Sequence, residues 1–192
     1  MQSLQLPDVM PRRLPSDQPA LSIDCETPAG ISAADFREAL SRAVTPVTVV
    51  TTAGQAGMAG ITCSAVSSVC DSPPTILVCI NRKSYANNVI KTNGVLCVNW
   101  LSAAQTEIAN LFAGVGAVPM QERFSYGSWQ TLATGAPAAA AACVALDCEI
   151  LSASEIGSHS VFLVRVLART EPAASEPLVY CRRAYATAQP HA

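Results

Sequence analysis

GITCSAVSSVCDSPP, residues Gly60 to Pro74, decides how this chain is read. Ile61, Val66 and Val69 give it β-branched weight, which predicts an extended run. Thr62, Ser64, Ser67, Ser68 and Ser72 load it with hydroxyls, while Cys63, Ala65 and Cys70 keep the other side chains small. A strand built only for packing carries large branched residues on its buried face. Small side chains instead let a flat ligand approach the strand backbone, and hydroxyls and N–H groups can bond its polar edge or a polyol chain. The plainer alternative is the exposed face of an edge strand, and composition alone leaves both open.

The pattern around this stretch is strand-rich. VTVVTT (Val47–Thr52) reads as a strand, followed by a turn at Gly54 and Gly57. TILVCI (Thr75–Ile80) is almost wholly apolar, which predicts burial on both faces. Ser84–Lys91 reads as a short helix ended by Asn93-Gly94, and VLCVNWL (Val95–Leu101) returns to strand. Ser102 and Gln105 form a capping box for a helix through Phe112, closed by Gly114. Further strands are expected near Val144–Leu151, Ser160–Ala168 and Leu178–Cys181. Ala138–Ala142 is a conflict: five alanines favour helix, but Pro137 precedes them and the β-like VALDCEIL follows. Upstream, Ser32 and Asp35 cap a helix whose stripe is Phe36, Ala39 and Leu40. Residues 1–30, with five prolines and little periodicity, read as a flexible extension, leaving one domain over 31–188. The sum is mainly β with a few helices. Its strands follow one another too directly for a parallel sheet with crossover helices, so an antiparallel barrel is expected. The chain has no internal repeat.

The totals exclude several classes. A chain of 192 residues that is 50% hydrophobic can bury a sizeable core, but its net charge of −2 and 5% aromatics offer no basic field or stacking surface for nucleic acid. The most apolar run, Ala136–Leu146, is broken by Pro137 and falls short of the roughly 20 residues a membrane span needs. No secretory leader is expected from the first residues. Cys63, Cys79, Cys97 and Cys148, four of the eight cysteines, fall inside expected strands as small hydrophobes. With no C-x-x-C and two histidines, no metal site is expected, and reduced thiols fit a cytoplasmic protein.

Conventional catalytic motifs are missing. Neither G-x-G-x-x-G nor G-x-x-x-x-G-K-[ST] occurs, and there is no G-x-S-x-G with a partner for His159. Asn81-Arg82-Lys83-Ser84-Tyr85 places two cations and a hydroxyl where a helix begins, which suits an anion, although Ser84 also fits as an ordinary N-cap. A flat ring beside Gly60–Ser68 and a phosphate at Arg82–Ser84 together describe flavin mononucleotide (FMN), or the matching half of FAD.

The segments FREALSRAVTPVTVVTT, AGITCSAVSSVCDSPPTILVCIN, LCVNWLSAAQ, MQERFSYGSWQ, IGSHSVFLVRV and LVYCRRAY strengthen that reading. Over Ala34–Tyr185 the chain resembles the short-chain flavin reductases that supply two-component monooxygenases. The likeness is greatest to the 4-hydroxyphenylacetate 3-monooxygenase reductase component; the uracil-degradation flavin reductase is similar. The resemblance implies a split-barrel FMN-binding fold, a homodimer, and reduction of free FMN or FAD by NADH or NADPH for a separate monooxygenase. It further implies that Thr62, Cys63, Ser64, Ala65 and Ser67 line the flavin, and that Asn81, Arg82, Lys83 and Ser84 hold its ribityl-phosphate end. Phe112, Ala113 and the Glu122-Arg123-Phe124 corner would lie near the ring or the dimer contact. His159 would face the nicotinamide with Tyr185 nearby. Cys63 stands where relatives often carry Ala, and Cys181 where an aromatic ring is common. The rival reading is a non-catalytic flavin-binding or redox-sensing module on the same barrel.

Overall fold

The computed structural model describes residues 30–189. The extension expected over 1–30 therefore lies outside the described residues, apart from Gly30. In chain order the elements are α1 (Ala33–Ser41), β1 (Thr45–Pro46), β2 (Thr48–Thr52), β3 (Ala59–Cys63), β4 (Val66–Asp71), β5 (Pro74–Asn81), α2 (Tyr85–Asn93) and β6 (Val95–Trp100). After a helical turn at Ala103–Gln105 come α3 (Thr106–Ala113), α4 (Met120–Arg123), β7 (Trp129–Thr131), β8 (Pro137–Ala139), β9 (Val144–Ile156), β10 (His159–Arg169), β11 (Leu178–Cys181) and β12 (Ala184–Thr187).

Every strand pair is antiparallel, as the adjacency of the strands implied. The main sheet has seven strands in the order β3-β2-β6-β9-β10-β5-β4. Gly60 to Pro74 thus contributes two strands, not one. β3 is one edge of the sheet and β4 the other, and only Ser64 and Ala65 separate them. The sheet does not close by pairing these edges. It is held near closure at the joint, where the Cys79 N–H donates to the Ala65 carbonyl at 2.9 Å. Ile61 and Cys63 from one edge and Val66 and Val78 from the other side then share a single core with Val50, Leu96 and Phe162.

The helices form where the capping residues require. Ser84 Oγ accepts the Asn87 N–H at 3.2 Å to start α2, and Gly94, at φ 72°, ends it. Ala86, Val89 and Ile90 carry α2 into the core that holds Val50 and Phe162. Ile108, Ala109, Leu111 and Phe112 carry α3 into a second core with Val47, Val49 and Leu178. Strand β2 serves both, which is why VTVVTT is buried throughout. Its hydroxyls are satisfied inside: Thr48 Oγ1 donates to the Cys63 carbonyl at 2.6 Å and Thr52 Oγ1 to the Val95 carbonyl at 2.7 Å.

The alanine conflict resolves into strand at Ala138 and Ala139 and a turn over 140–142. Pro137–Ala139 pairs with β7, and the Ala139 N–H donates to Asn99 Oδ1 at 2.7 Å. Alanine is needed there for close approach: Ala136, Ala138 and Ala145 are fully buried around Cys97. Long-range bonding outweighs the few tenths of a kcal/mol per residue that separate helix propensities.

Candidate functional site

A cavity of about 540 Å³ opens at the joint between the sheet's two edges. Its walls come from Gly60–Ser64 of β3 and the joint, Ser84–Ala86 at the start of α2, and Phe112–Gly114 at the end of α3. Met120 and Arg123 of α4 and the rings of Tyr180 and Tyr185 complete it.

The wall is flat because Gly60 has no side chain. A Cβ at that position would stand 2.6 Å from Phe112 Cε1, so only glycine lets the ring lie against the strand. Phe112 is held edge-on by Phe124 and Trp129, with centroids 5.1 and 5.7 Å away. On another wall Tyr180 and Tyr185 pair across the β11–β12 hairpin, their centroids 5.5 Å apart. Burial and then the neighbouring Tyr180 raise the Tyr185 hydroxyl above its ordinary range, so the Tyr185 ring is a neutral phenol at physiological pH.

The hydroxyls singled out in the sequence divide by what they already hold. Thr62 Oγ1 donates to the Ala109 carbonyl at 2.6 Å, tying β3 to α3. The Cys63 thiol donates to the Cys79 carbonyl at 3.3 Å, and burial above all pushes its pKa up to about 11, so it is a protonated, inert wall residue at neutral pH. Ser67 Oγ donates to the Ser68 carbonyl at 3.3 Å on an exposed edge strand. Ser64, exposed at the joint and lining the cavity, makes no side-chain hydrogen bond among the described residues.

Of the residues expected at the flavin, Thr62, Cys63, Ser64, Ser84, Phe112, Ala113 and Tyr185 come together around the cavity. Ala65, in the joint, and Ser67, on β4, do not line it. Asn81 ends β5 ahead of α2, its Oδ1 accepting the Lys83 N–H at 2.9 Å and its carbonyl accepting Ser84 Oγ at 2.8 Å. Arg82 and Lys83 border a separate depression of about 410 Å³ with Lys91 and Gly157. Arg82 is engaged there, its Nε 2.6 Å from Glu155 Oε2. Burial raises the Glu155 carboxyl, but hydrogen bonds from Lys91 and Ser160 and the charges of Lys91 and Arg82 outweigh it and hold it below the ordinary range. That stabilisation is present above the carboxylate's unfolded pKa and fades as pH falls through the lowered one. His159 begins β10 in register with Asn81, its Nδ1 2.9 Å from Ser158 Oγ, and does not line the cavity.

Among the lining residues not expected as flavin contacts, Arg123 and Tyr180 carry chemistry. Arg123 brings a guanidinium to the cavity, with Nε donating to the Val118 carbonyl at 2.9 Å. Its only signal was the Glu122-Arg123-Phe124 corner. Tyr180 was legible only as an aromatic residue beside Cys181. Among the described residues no three His, Cys, Asp or Glu side chains cluster for a metal ion, and no helix is long and apolar enough to cross a membrane.

Known proteins place this geometry. The profile of the flavin reductase like domain matches residues 40–189. The chain is 45% identical to the protein named FMN reductase (NADH) RutF of Ancylobacter novellus, over 81% of this chain and 84% of that one. Among solved structures it is similar to BorF, the flavin reductase component of a bacterial two-component tryptophan halogenase, at 29% identity and a TM-score of 0.76, covering 83% of this chain and all of the other. The NADH:FAD oxidoreductase SgcE6 of Streptomyces globisporus is 27% identical, with a TM-score of 0.75, over 85% of this chain and 100% of the other. The particular likeness to the 4-hydroxyphenylacetate reductase component gives way, because a relative at 45% identity carries the RutF name instead. The matched span runs from within α1 to the last described residue and takes in every wall of the cavity: the chain belongs to the flavin reductase-like family.

Proposed function

We propose that the chain is an NADH-dependent flavin reductase whose flavin lies in the cavity at the β3–β4 joint. The observation that carries this is the Gly60–Phe112 contact, which makes a flat, apolar wall beside the uncommitted Ser64 hydroxyl. The names of the relatives favour FMN and NADH, with FAD and NADPH as the alternatives the assay distinguishes.

The flavin supplies the hydride-accepting ring when bound, and the dinucleotide supplies the hydride. The chain's own part is positioning. Gly60 and Phe112 shape the face against which a ring system rests, and Ser64 offers a hydrogen bond at its edge. Arg123 offers a guanidinium to a phosphate, a role that Lys83, outside the cavity, is less well placed to fill; the Ser84 hydroxyl, donating to the Asn81 carbonyl, fixes the start of α2 beside it. Tyr180 and Tyr185 bound the remaining side, where a second ring can stack at about 3–3.5 Å. No acid, base or nucleophile is required, which accounts for the missing catalytic motifs. His159, at the start of β10 and outside the cavity, is given to the dinucleotide on the resemblance alone.

The reading extends to a cytoplasmic homodimer that passes reduced flavin to a separate enzyme. The exposed apolar side chains Phe36, Leu40 and Val69 favour a second copy, and the halogenase system of BorF favours transfer. The decisive experiment is NADH consumption by the purified protein with and without added FMN or FAD. Oxidation that depends on added flavin is expected. Tight flavin binding without turnover would instead establish the non-catalytic module. His159→Ala is expected to raise the KM for NADH about tenfold or more with flavin affinity unchanged; unaltered kinetics with lowered thermal stability would make His159 structural.

A further inference from the structure

The tip of the β11–β12 hairpin is not explained by the cavity. Register pairs Tyr180 with Tyr185 and Cys181 with Ala184, so Arg182 and Arg183 form a two-residue turn. Both are left-handed, at φ 51° and 63°. Turns of this kind favour Asn-Gly, because a larger side chain at positive φ crowds its own backbone. Here two arginines occupy both positions. The fold holds them there: the Arg182 N–H donates to the Ser41 carbonyl at 2.6 Å, and Arg183 Nη2 donates to Glu38 Oε2 at 3.0 Å.

With Arg42 they border a depression of about 280 Å³ against the end of α1. Glu38 is the carboxylate among its lining residues, and it is shared by Arg42 and Arg183. Arg182 has no ion-pair partner among the described residues. A surplus of positive charge is thus gathered at one point of a chain whose net charge is −2. The same hairpin lends Tyr180 and Tyr185 to the main cavity, so the guanidiniums begin two residues along the strand from the ring-stacking wall.

We propose that Arg182, Arg183 and Arg42 bind the ADP portion of a dinucleotide whose other half occupies the main cavity. The inference rests on the proposed flavin and nicotinamide site. Planar guanidinium forks match phosphate oxygens in pairs, which suits a pyrophosphate better than a lysine cluster would. Backbone strain retained next to a binding wall is the pattern expected where the side chains serve a ligand. NADH and FAD both carry an ADP group, and the experiment separates them.

The test replaces the tip with the residues the turn prefers, Arg182→Asn together with Arg183→Gly. This keeps the hairpin and the bond from residue 182 to Ser41 while removing both guanidiniums. Thermal unfolding should be unchanged or raised. Calorimetric titration then compares NAD+ with nicotinamide mononucleotide, and FAD with FMN. Affinity for NAD+ or for FAD should fall about tenfold or more, while the two ligands lacking ADP keep theirs. Loss on the NAD+ arm assigns the tip to the coenzyme, and loss on the FAD arm assigns it to the flavin. Wild-type affinity for both NAD+ and FAD overturns the proposal. So does a variant that melts several degrees lower and weakens all four ligands alike, since the arginines are then pins for α1. A wild-type protein that binds none of the four overturns the cavity reading itself, and this proposal with it.

Discussion

Gly60→Ala is expected to lower the melting temperature by about 5 °C and to weaken FMN binding about tenfold. The added carbon would stand 2.6 and 2.7 Å from Phe112 Cε1 and Cδ1, well inside the roughly 3.5–4.0 Å at which carbon atoms rest. A ring on an open surface would swing away. Phe112 is 2% exposed, and Phe124 and Trp129 stand against it in edge contacts. Either the ring or β3 must move, and both are walls of the cavity. A Phe112→Leu change alone leaves a gap, but combined with Gly60→Ala it restores part of both losses, giving a favourable coupling in a double-mutant cycle. The measurements are thermal unfolding and flavin titration. A Gly60→Ala protein with wild-type melting and wild-type FMN affinity would show that the wall yields freely and that the glycine is not what shapes the site.

Asn87→Ala is expected to cost about 3 kcal/mol, with a melting temperature lower by roughly 6–12 °C. Asn87 is wholly buried in the first turn of α2. Its Nδ2 donates to the Ile80 carbonyl at 3.1 Å and to Ser160 Oγ at 3.0 Å, and Ser160 Oγ donates onward to Glu155 Oε1 at 3.0 Å. Glu155 in turn pairs with Arg82 and Lys91. One amide therefore links the helix, two neighbouring strands and a charge cluster. Truncation removes two buried hydrogen bonds at once, leaving the Ile80 carbonyl without its side-chain donor and Ser160 Oγ with Glu155 alone, the expensive case for hydrogen bonds. Ser84, which lines the cavity three residues earlier, keeps its own bond to the residue 87 N–H, so flavin affinity should fall less than stability. Urea unfolding is the check. A change below about 1 kcal/mol would mean that water or a shift of α2 replaces the lost bonds.

Local chemistry explains what was legible beforehand. Ser84, Gly94, Ser102 with Gln105, and Gly114 mark helix ends because capping is settled by a few adjacent residues, and the structure uses all of them. VTVVTT declared a strand because its branched residues admit little else. Pairing partners are not local. Nothing in GITCSAVSSVCDSPP shows that Ser64-Ala65 passes the chain from one sheet edge to the other, since Ser64 is only a weak turn former and one of four serines in the stretch. β12 stayed hidden because its hairpin turns on Arg-Arg where Asn-Gly is the usual sign. In the site, residue types were legible but their directions were not. Thr62 was read as a flavin donor, yet its proton goes to Ala109, 47 residues away along the chain. Arg123 required the fold of α4 to bring it into the cavity.

The joint at Ser64-Ala65 has a further consequence for how the molecule breathes. β9 and β10, of 13 and 11 residues, are the longest strands and are neighbours in the chain, so the centre of the sheet is a local hairpin. Growth outward from that hairpin reaches β3 on one flank and β4 on the other, the two strands that the chain itself had joined. The cavity therefore lies on a seam between the outermost members of the sheet. Opening that seam breaks the few bonds at an edge and leaves the central pairing intact, which gives a ligand a route in without global unfolding. Native-state hydrogen exchange should record this as a gradient. Amides of β4 should exchange through low-energy opening, while those of Val161–Val164 should exchange only with global unfolding. Equal protection across the sheet would mean that seam and centre open as one unit, and that ligands enter by another path.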